Sequence, residues 1–200
     1  MKTIHISAQQ MARRVARFRD LKPLPAQTDP NIPQAAADQI YARKLYSVIG
    51  LEGGAATPIN AGAPIVGAGG MTMVIAVCPP GQGPSLHAHR QTFETFTVLQ
   101  GSFEVSWNDQ GQDRLVLEQF DTICVPPEVA RAFRNAGQGE GLLQVLISGG
   151  VHDMSDIAFA PAVAERIAAI KPEALAAFEK AGMKFDAAMA GSVPGGNLKR

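Results

Sequence analysis

The sequence predicts an all-β core, a sandwich or barrel, flanked by an extended N-terminal arm and C-terminal α-helices. Three observations lead there. The 200 residues hold 20 Gly and 14 Pro with only 18% charged side chains, a density of turn formers that suits many short strands. Between those turns, short apolar runs recur at intervals of roughly 8–12 residues with no helical pattern among them. After Gly150 the pattern changes to alanine-rich segments with helical spacing.

In chain order, residues 1–40 form a helix and a proline-rich arm, residues 41–150 the β-domain, and residues 151–200 a helical extension with a loose tail. The spacing of Met11, Val15 and Phe18 predicts a short basic helix over 9–20, with Arg13, Arg14, Arg17 and Arg19 on a solvated face. Pro23, Pro25, Pro30 and Pro33 make 22–34 an extended arm. Strands are predicted over 41–50, 70–78, 84–89, 93–99, 102–108, 114–118, 122–125, 129–135 and 142–148. The alternation is sharpest in the fifth, where Phe103, Val105 and Trp107 share one face and Ser102, Glu104 and Ser106 the other, as a two-residue period requires. Helices are predicted over 160–170 and 172–190, with Pro161 and Pro172 in the first turn, where a missing N–H costs nothing. Residues 191–200 read as the tail.

Charge and composition narrow the function. Eighteen Lys+Arg balance eighteen Asp+Glu, so the basic excess that neutralises phosphates is absent and a nucleic-acid partner is not expected. Hydrophobic residues make up 46% of the chain, enough for a core. No apolar run reaches the ~18 residues of a membrane span, because the richest stretch, 55–77, is broken by Pro58, Pro64 and several glycines. The first ten residues lack the apolar centre of a secretory signal. Cys78 and Cys124 form no Cys-x-x-Cys pair, and without an export signal both are expected as reduced thiols in the cytoplasm. Cys124, between Ile123 and Val125, is expected to be buried and inert.

Chemistry concentrates in residues 81–94. His87 and His89 lie two apart, so in a strand both project to one side. With Glu94 they make two imidazoles and one carboxylate, a set that leaves coordination positions open and suits non-haem Fe(II), or Mn(II) or Zn(II). Taken alone, a His-x-His is as often a structural pair as a ligand pair. The surrounding spacing adds weight. Gly81, five residues, His87-x-His89, four residues, Glu94, six residues and Gly101 resemble the first motif of the cupin superfamily. The second motif of that family runs Gly, five residues, Pro-x-Gly, two residues, His, three residues, Asn. This chain has Phe120, Pro126, Pro127, Glu128, Arg131 and Asn135 in those places, so the proline and asparagine match while both glycines and the histidine do not.

The resemblance, which covers about 70–148, implies a jelly-roll β-barrel open at one end. It implies that His87, His89 and Glu94 are metal ligands, with Fe(II) favoured over Mn(II), Zn(II) or Ni(II), and that Arg131 stands where a fourth ligand would be. A guanidinium does not lose its proton and cannot ligate a cation. Because Arg131, Phe133 and Asn135 alternate, an inward Asn135 brings Arg131 inward too. Arg131 can then pair with Glu94 in place of a metal, act catalytically by clamping an anionic substrate against a three-ligand metal, or turn toward the barrel mouth; a rim arginine in solvent is the plainer alternative. His152 follows the last strand and is within reach of the mouth, although a lone histidine seldom ligates. Phe93, Phe96, Phe103 and Trp107 are expected to pack the barrel.

The expected function is therefore a metal-binding barrel working as a dioxygenase-like oxidoreductase on a small, anionic organic substrate. A non-catalytic binding barrel is the alternative from another class, and a metal-dependent isomerase or lyase cannot be separated from the first. By analogy with cupins a homodimer is expected, its proline-rich arm exchanged between subunits or covering a sheet edge.

Overall fold

The computed structural model describes residues 1–27, 29–53, 57–150 and 154–187. His152 and the tail at 191–200 lie outside the described residues. The chain forms α1 (Ala8–Ala12), α2 (Gln34–Ile40), β1 (Lys44–Gly50), α3 (Pro58–Gly62), β2 (Ile65–Val66), β3 (Met71–Cys78) and β4 (His87–His89). There follow β5 (Phe93–Gln100), β6 (Phe103–Trp107), β7 (Asp113–Leu117), β8 (Thr122–Val125), β9 (Arg131–Asn135), β10 (Gly141–Ser148) and β11 (Ile157–Phe159). Two helices, α4 (Pro161–Ile170) and α5 (Pro172–Lys180), complete the described chain.

The strands make two sheets, one of six in the order β2-β1-β3-β10-β5-β8 and one of five in the order β11-β4-β9-β6-β7. The jelly-roll expectation is met: from β3 to β11 the chain changes sheet at every step except β6 to β7, and the inward residues of both sheets build one core. Phe96, Val98, Phe103, Val105 and Leu143 have no exposed surface. Phe133 meets Phe96 and Phe103 edge-on, with ring centroids 5.2 and 6.1 Å apart, the geometry that the ring quadrupole favours. Phe93 points outward instead, at the start of β5.

The flanking segments differ most from expectation. The helix predicted over 9–20 shrinks to α1, capped by Ser7 and Gln10, and a 3-10 turn at Phe18–Asp20. Met11, Val15 and Phe18 stay about half exposed, and a helix with no buried face has too little to offset its nucleation cost. The arm does run along a sheet edge: Leu24 donates its N–H to Leu45 O at 3.0 Å, beside β1 of its own chain. At its end α2 forms, its Ala36, Ala37 and Ile40 buried. The C-terminal segment returns as β11 and then as α4 and α5. These helices pack with α2 around Phe159, Ile167 and Phe178 in a second core. The predicted helix over 172–190, of which 188–190 lie outside the described residues, stops at Lys180, because the chain turns at Gly182 (φ +95°) and makes an isolated bridge beside β11, with Phe159 N–H donating to Lys184 O at 2.9 Å.

Cys124 is exposed rather than buried. The strand β8 lies at the edge of the six-stranded sheet, and Thr122 and Cys124 take its outer face while Val125 faces in. Cys78 is buried, which pushes its thiol up to about 12. Both cysteines are free. No helix among the described residues is long and apolar enough to cross a membrane.

Candidate metal centre

Three residues of β4 suffice to point two imidazoles inward: His87 and His89 are buried and Ala88 between them is not. Glu94 comes from the other sheet. The link 90–92 crosses from β4 to β5, and Glu94 enters β5 paired with Ile147 on β10 and Val125 on β8. The site is thus built where the two sheets meet. Glu94 Oε2 lies 3.4 Å from His87 Nε2 and 3.5 Å from His89 Nε2, and one ligand atom from each residue falls within 4.8 Å of the others.

Hydrogen bonds fix how the rings face. His87 Nδ1 is 3.0 Å from the Ser85 carbonyl oxygen, which only accepts, so Nδ1 carries the proton and Nε2 offers its lone pair. His89 Nδ1 is 2.8 Å from Thr92 Oγ1 and 3.2 Å from Asp156 Oδ2. On the inner side, His89 Nε2 and Glu94 Oε2 are buried with no hydrogen-bond partner among the described residues. Buried polar atoms left open in this way ask for a ligand, and two nitrogen lone pairs with a carboxylate oxygen are the donor set of a divalent transition ion. These residues fit a metal.

The electrostatics agree. Burial lowers the proton affinity of His89, against the pull of Glu94 and Asp156, and favours the neutral ring that ligation requires. Burial alone would raise Glu94, but His89, His87 and Arg131 outweigh it and hold the carboxyl at about 2. Asp156 is likewise held at about 2, its burial outweighed by hydrogen bonds from His89, Thr92 and the Gln91 N–H.

Arg131 is not a rim residue. It has no exposed surface, sits beside His87 across the β4–β9 pairing, and places Nε 3.5 Å from Glu94 Oε2. Nη2 donates to the Pro126 carbonyl at 3.0 Å, while Nε and Nη1 are buried without a hydrogen-bond partner among the described residues. Asn135 is inward as well, but spends its amide on the Cys78 and Gly139 carbonyls at 2.7 and 2.8 Å.

A cavity of about 90 Å³ opens on His87, His89 and Glu94, and Arg131 is not among its lining residues. Apart from those three and Tyr41 its walls are apolar, from Val74, Val145 and Ile147 of the barrel to Leu24 of the arm and Met154 and Met183 of the extension. A larger groove of about 560 Å³, with Arg114, Arg134 and Arg166 on its walls, lies on the outer face of the five-stranded sheet. It holds none of the four site residues.

Residues 74–147 match the family described as Cupin domain. This stretch is a cupin domain. No curated protein matches the chain. Among solved structures, a proposed sugar phosphate isomerase from Acidithiobacillus ferrooxidans is 20% identical, with a TM-score of 0.36 over 39% of this chain and 49% of that one. This chain therefore spans about half the length of that neighbour. An uncharacterised protein with a double-stranded β-helix domain from Klebsiella pneumoniae is 21% identical, with a TM-score of 0.37 over 40% and 68%. A predicted oxalate decarboxylase from Thermotoga maritima is 19% identical, with a TM-score of 0.36 over 38% and 64%.

Two residues at this cupin centre escaped the sequence reading. Thr92 sits within the first motif at a position where the pattern asks for no particular residue. Asp156 belongs to the extension, and no spacing signal ties it to His89; only the return of β11 beside β4 does.

Proposed function

We propose that the cupin barrel holds a divalent transition metal, Fe(II) before Mn(II), Zn(II) or Ni(II), on His87, His89 and Glu94, and acts as a dioxygenase-like oxidoreductase on a small organic acid with an apolar body. The observation that carries this is the convergence of two fixed imidazole lone pairs and one carboxylate oxygen on a single buried point at the wall of an apolar cavity. A metal bound there supplies Lewis-acid and redox chemistry with positions left open for other ligands. The apolar walls exclude water and hold the substrate body, and the two hydrogen-bonded imidazoles and Glu94 keep the donor atoms in place.

Arg131 sets the charge of the site. Its guanidinium offsets Glu94, and with neutral imidazoles the four side chains sum to zero, whereas a cupin with histidine in that place keeps the carboxylate charge. A divalent ion here is then offset only by Asp156 behind His89, and an anionic headgroup on the substrate balances what remains. Because Arg131 reaches Glu94 and not the cavity wall, its role is that of a positioning residue acting through Glu94. The same contact favours a second function, a non-catalytic binding barrel in which the Arg131–Glu94 pair stands in for part of the metal site.

Oxygen uptake by Fe(II)-loaded protein separates the two. Short apolar monocarboxylic acids are expected to stimulate uptake in the native protein and not in Glu94→Ala. Binding of such acids without any oxygen uptake would favour the non-catalytic barrel, and absence of both binding and uptake would contradict the two together.

A further inference from the structure

We infer that Asp156 is a positioning residue of the centre: it holds His89 as the Nδ1–H tautomer, so that Nε2 presents a lone pair toward Glu94 and His87, and thereby makes the C-terminal extension part of the site. The statement about the purpose of Nε2 rests on the metal-binding proposal above; the statement about the tautomer does not.

The extension enters as a 3-10 turn, Met154–Asp156, followed by β11, which pairs antiparallel with β4 so that Ile157 faces His89 and Phe159 faces His87. Asp156, one residue before that pairing, falls beside the link that carries the chain from His89 toward Glu94. Four contacts fix it there. Arg90 N–H donates to the Asp156 carbonyl at 2.9 Å, and Gln91 N–H donates to Oδ1 at 2.8 Å. The Thr92 hydroxyl donates to Oδ2 at 2.5 Å, and the same Oδ2 lies 3.2 Å from His89 Nδ1. Arg90, next to His89, grips the extension a second time through Ser155 O at 3.1 Å and Asp186 Oδ1 at 2.6 Å.

The proton on His89 can be placed by elimination. A hydroxyl has one proton, and Thr92 gives its proton to Asp156, so toward His89 it is an acceptor at 2.8 Å. Asp156 Oδ2 is an acceptor as well. With acceptors alone around Nδ1, that atom holds the proton, and Nε2 is left as a bare lone pair. Nε2 is buried, without a hydrogen-bond partner among the described residues, on a residue only 1% exposed, a state that costs free energy unless something binds it. A carboxylate behind a ligating imidazole is the arrangement that orients a ring and strengthens it as a ligand. Here it comes from outside the barrel proper, across a sheet pairing that the family match at 74–147 does not include.

The test is Asp156→Asn in the full-length protein. An amide has the shape of the carboxylate but can turn an N–H toward Nδ1, which moves the ring proton to Nε2 and blocks ligation; the same logic holds for the aspartate of a serine-protease triad. Long-range 15N–1H NMR of the histidine rings in metal-free protein is expected to show His89 protonated on Nδ1 in the native chain and on Nε2 in the variant. Zn(II) affinity, read by competition with a chromophoric chelator, is expected to fall about 10–100-fold. Thr92→Ser, which keeps the hydroxyl, should retain both the tautomer and the affinity. If Asp156→Asn does not fold, Asp156→Ser removes the charge with a smaller side chain and is expected to weaken Zn(II) in the same way. Zn(II) bound within twofold of native by the folded variant, or an unchanged Nδ1–H tautomer in it, would overturn the inference. If the native protein binds no Zn(II) at all, the metal proposal fails, and the ring tautomers still decide the role of Asp156.

Discussion

Phe120 and Glu128 stand where the second cupin motif has glycine, and both keep the left-handed backbone that glycine serves, with φ of +75° and +65°. A side chain in that region costs about 1–2 kcal/mol. Phe120 recovers little of it by packing, since 75% of its surface is exposed. Replacing it with glycine removes the strain and adds about 0.5–1 kcal/mol of unfolded-chain entropy to be lost on folding. Phe120→Gly is therefore expected to stabilise the protein by about 0.5–1 kcal/mol, read as a higher urea midpoint at unchanged slope; a lower midpoint would show that the ring makes a contact that outweighs the strain. At this scale the sequence was informative where spacing mattered. The five residues between Gly81 and His87 and the four between His89 and Glu94 identified the buried cluster, and the alternation of Arg131 with Asn135 tied the arginine to an inward asparagine, while a rim position stayed open until the fold was seen. Its approach to Glu94 was one of three outcomes the sequence left open, because a long side chain chooses among acceptors only once the opposite sheet is in place.

At the scale of elements, strands were legible wherever one face is buried and the other is not. In β6 the alternation runs undisturbed from Phe103 to Val105, and its register against β9, Val105 opposite Phe133, brings apolar residues of both strands together. The end of β8 and the whole of β7 are sheet edges, and there the apolar pattern misleads: Val116 is half exposed and Cys124 exposed. The short helix α2 and the strand β11 were not foreseen, for the same physical reason. Each is too short to declare itself by period and forms because a partner is supplied from far along the chain, α4 for one and β4 for the other. The loop before β4 shows how tightly the ligand strand is seated. An added Cβ on Gly83 would lie 1.8 Å from the Phe133 carbonyl oxygen, so only glycine lets this loop dock on β9 and lead His87 into place.

For the molecule as a whole, Leu24 of the N-terminal arm and Met154 and Met183 of the C-terminal extension close over the cavity of one cupin barrel, and a formal net charge of zero leaves selectivity to local groups. On the proposed function, Arg131, Glu94 and a metal on the cluster would decide which ligand enters, with no long-range field to steer it. The buried site also makes stability depend on pH. His89 is harder to protonate in the folded state than in the unfolded chain, and the Glu94 and Asp156 carboxyls are held at about 2. In all three cases the unfolded state binds more protons on the acid side, so their contribution is complete above the unfolded imidazole value of ~6.5 and is lost as the pH falls, first through His89 and then, below ~4, through the carboxylates. Urea midpoints of chelator-treated protein are expected to fall steadily from pH 7.5 to pH 4, and a midpoint that is flat or rises over that range would contradict the assignment. Metal retention by the cluster itself is the most direct test. Elemental analysis of protein loaded with Fe(II) or Zn(II) and then desalted should find close to one equivalent in the native chain and less than about a tenth in His87→Ala and Glu94→Ala; a native chain that retains no metal, or variants that retain as much as the native chain, would contradict it.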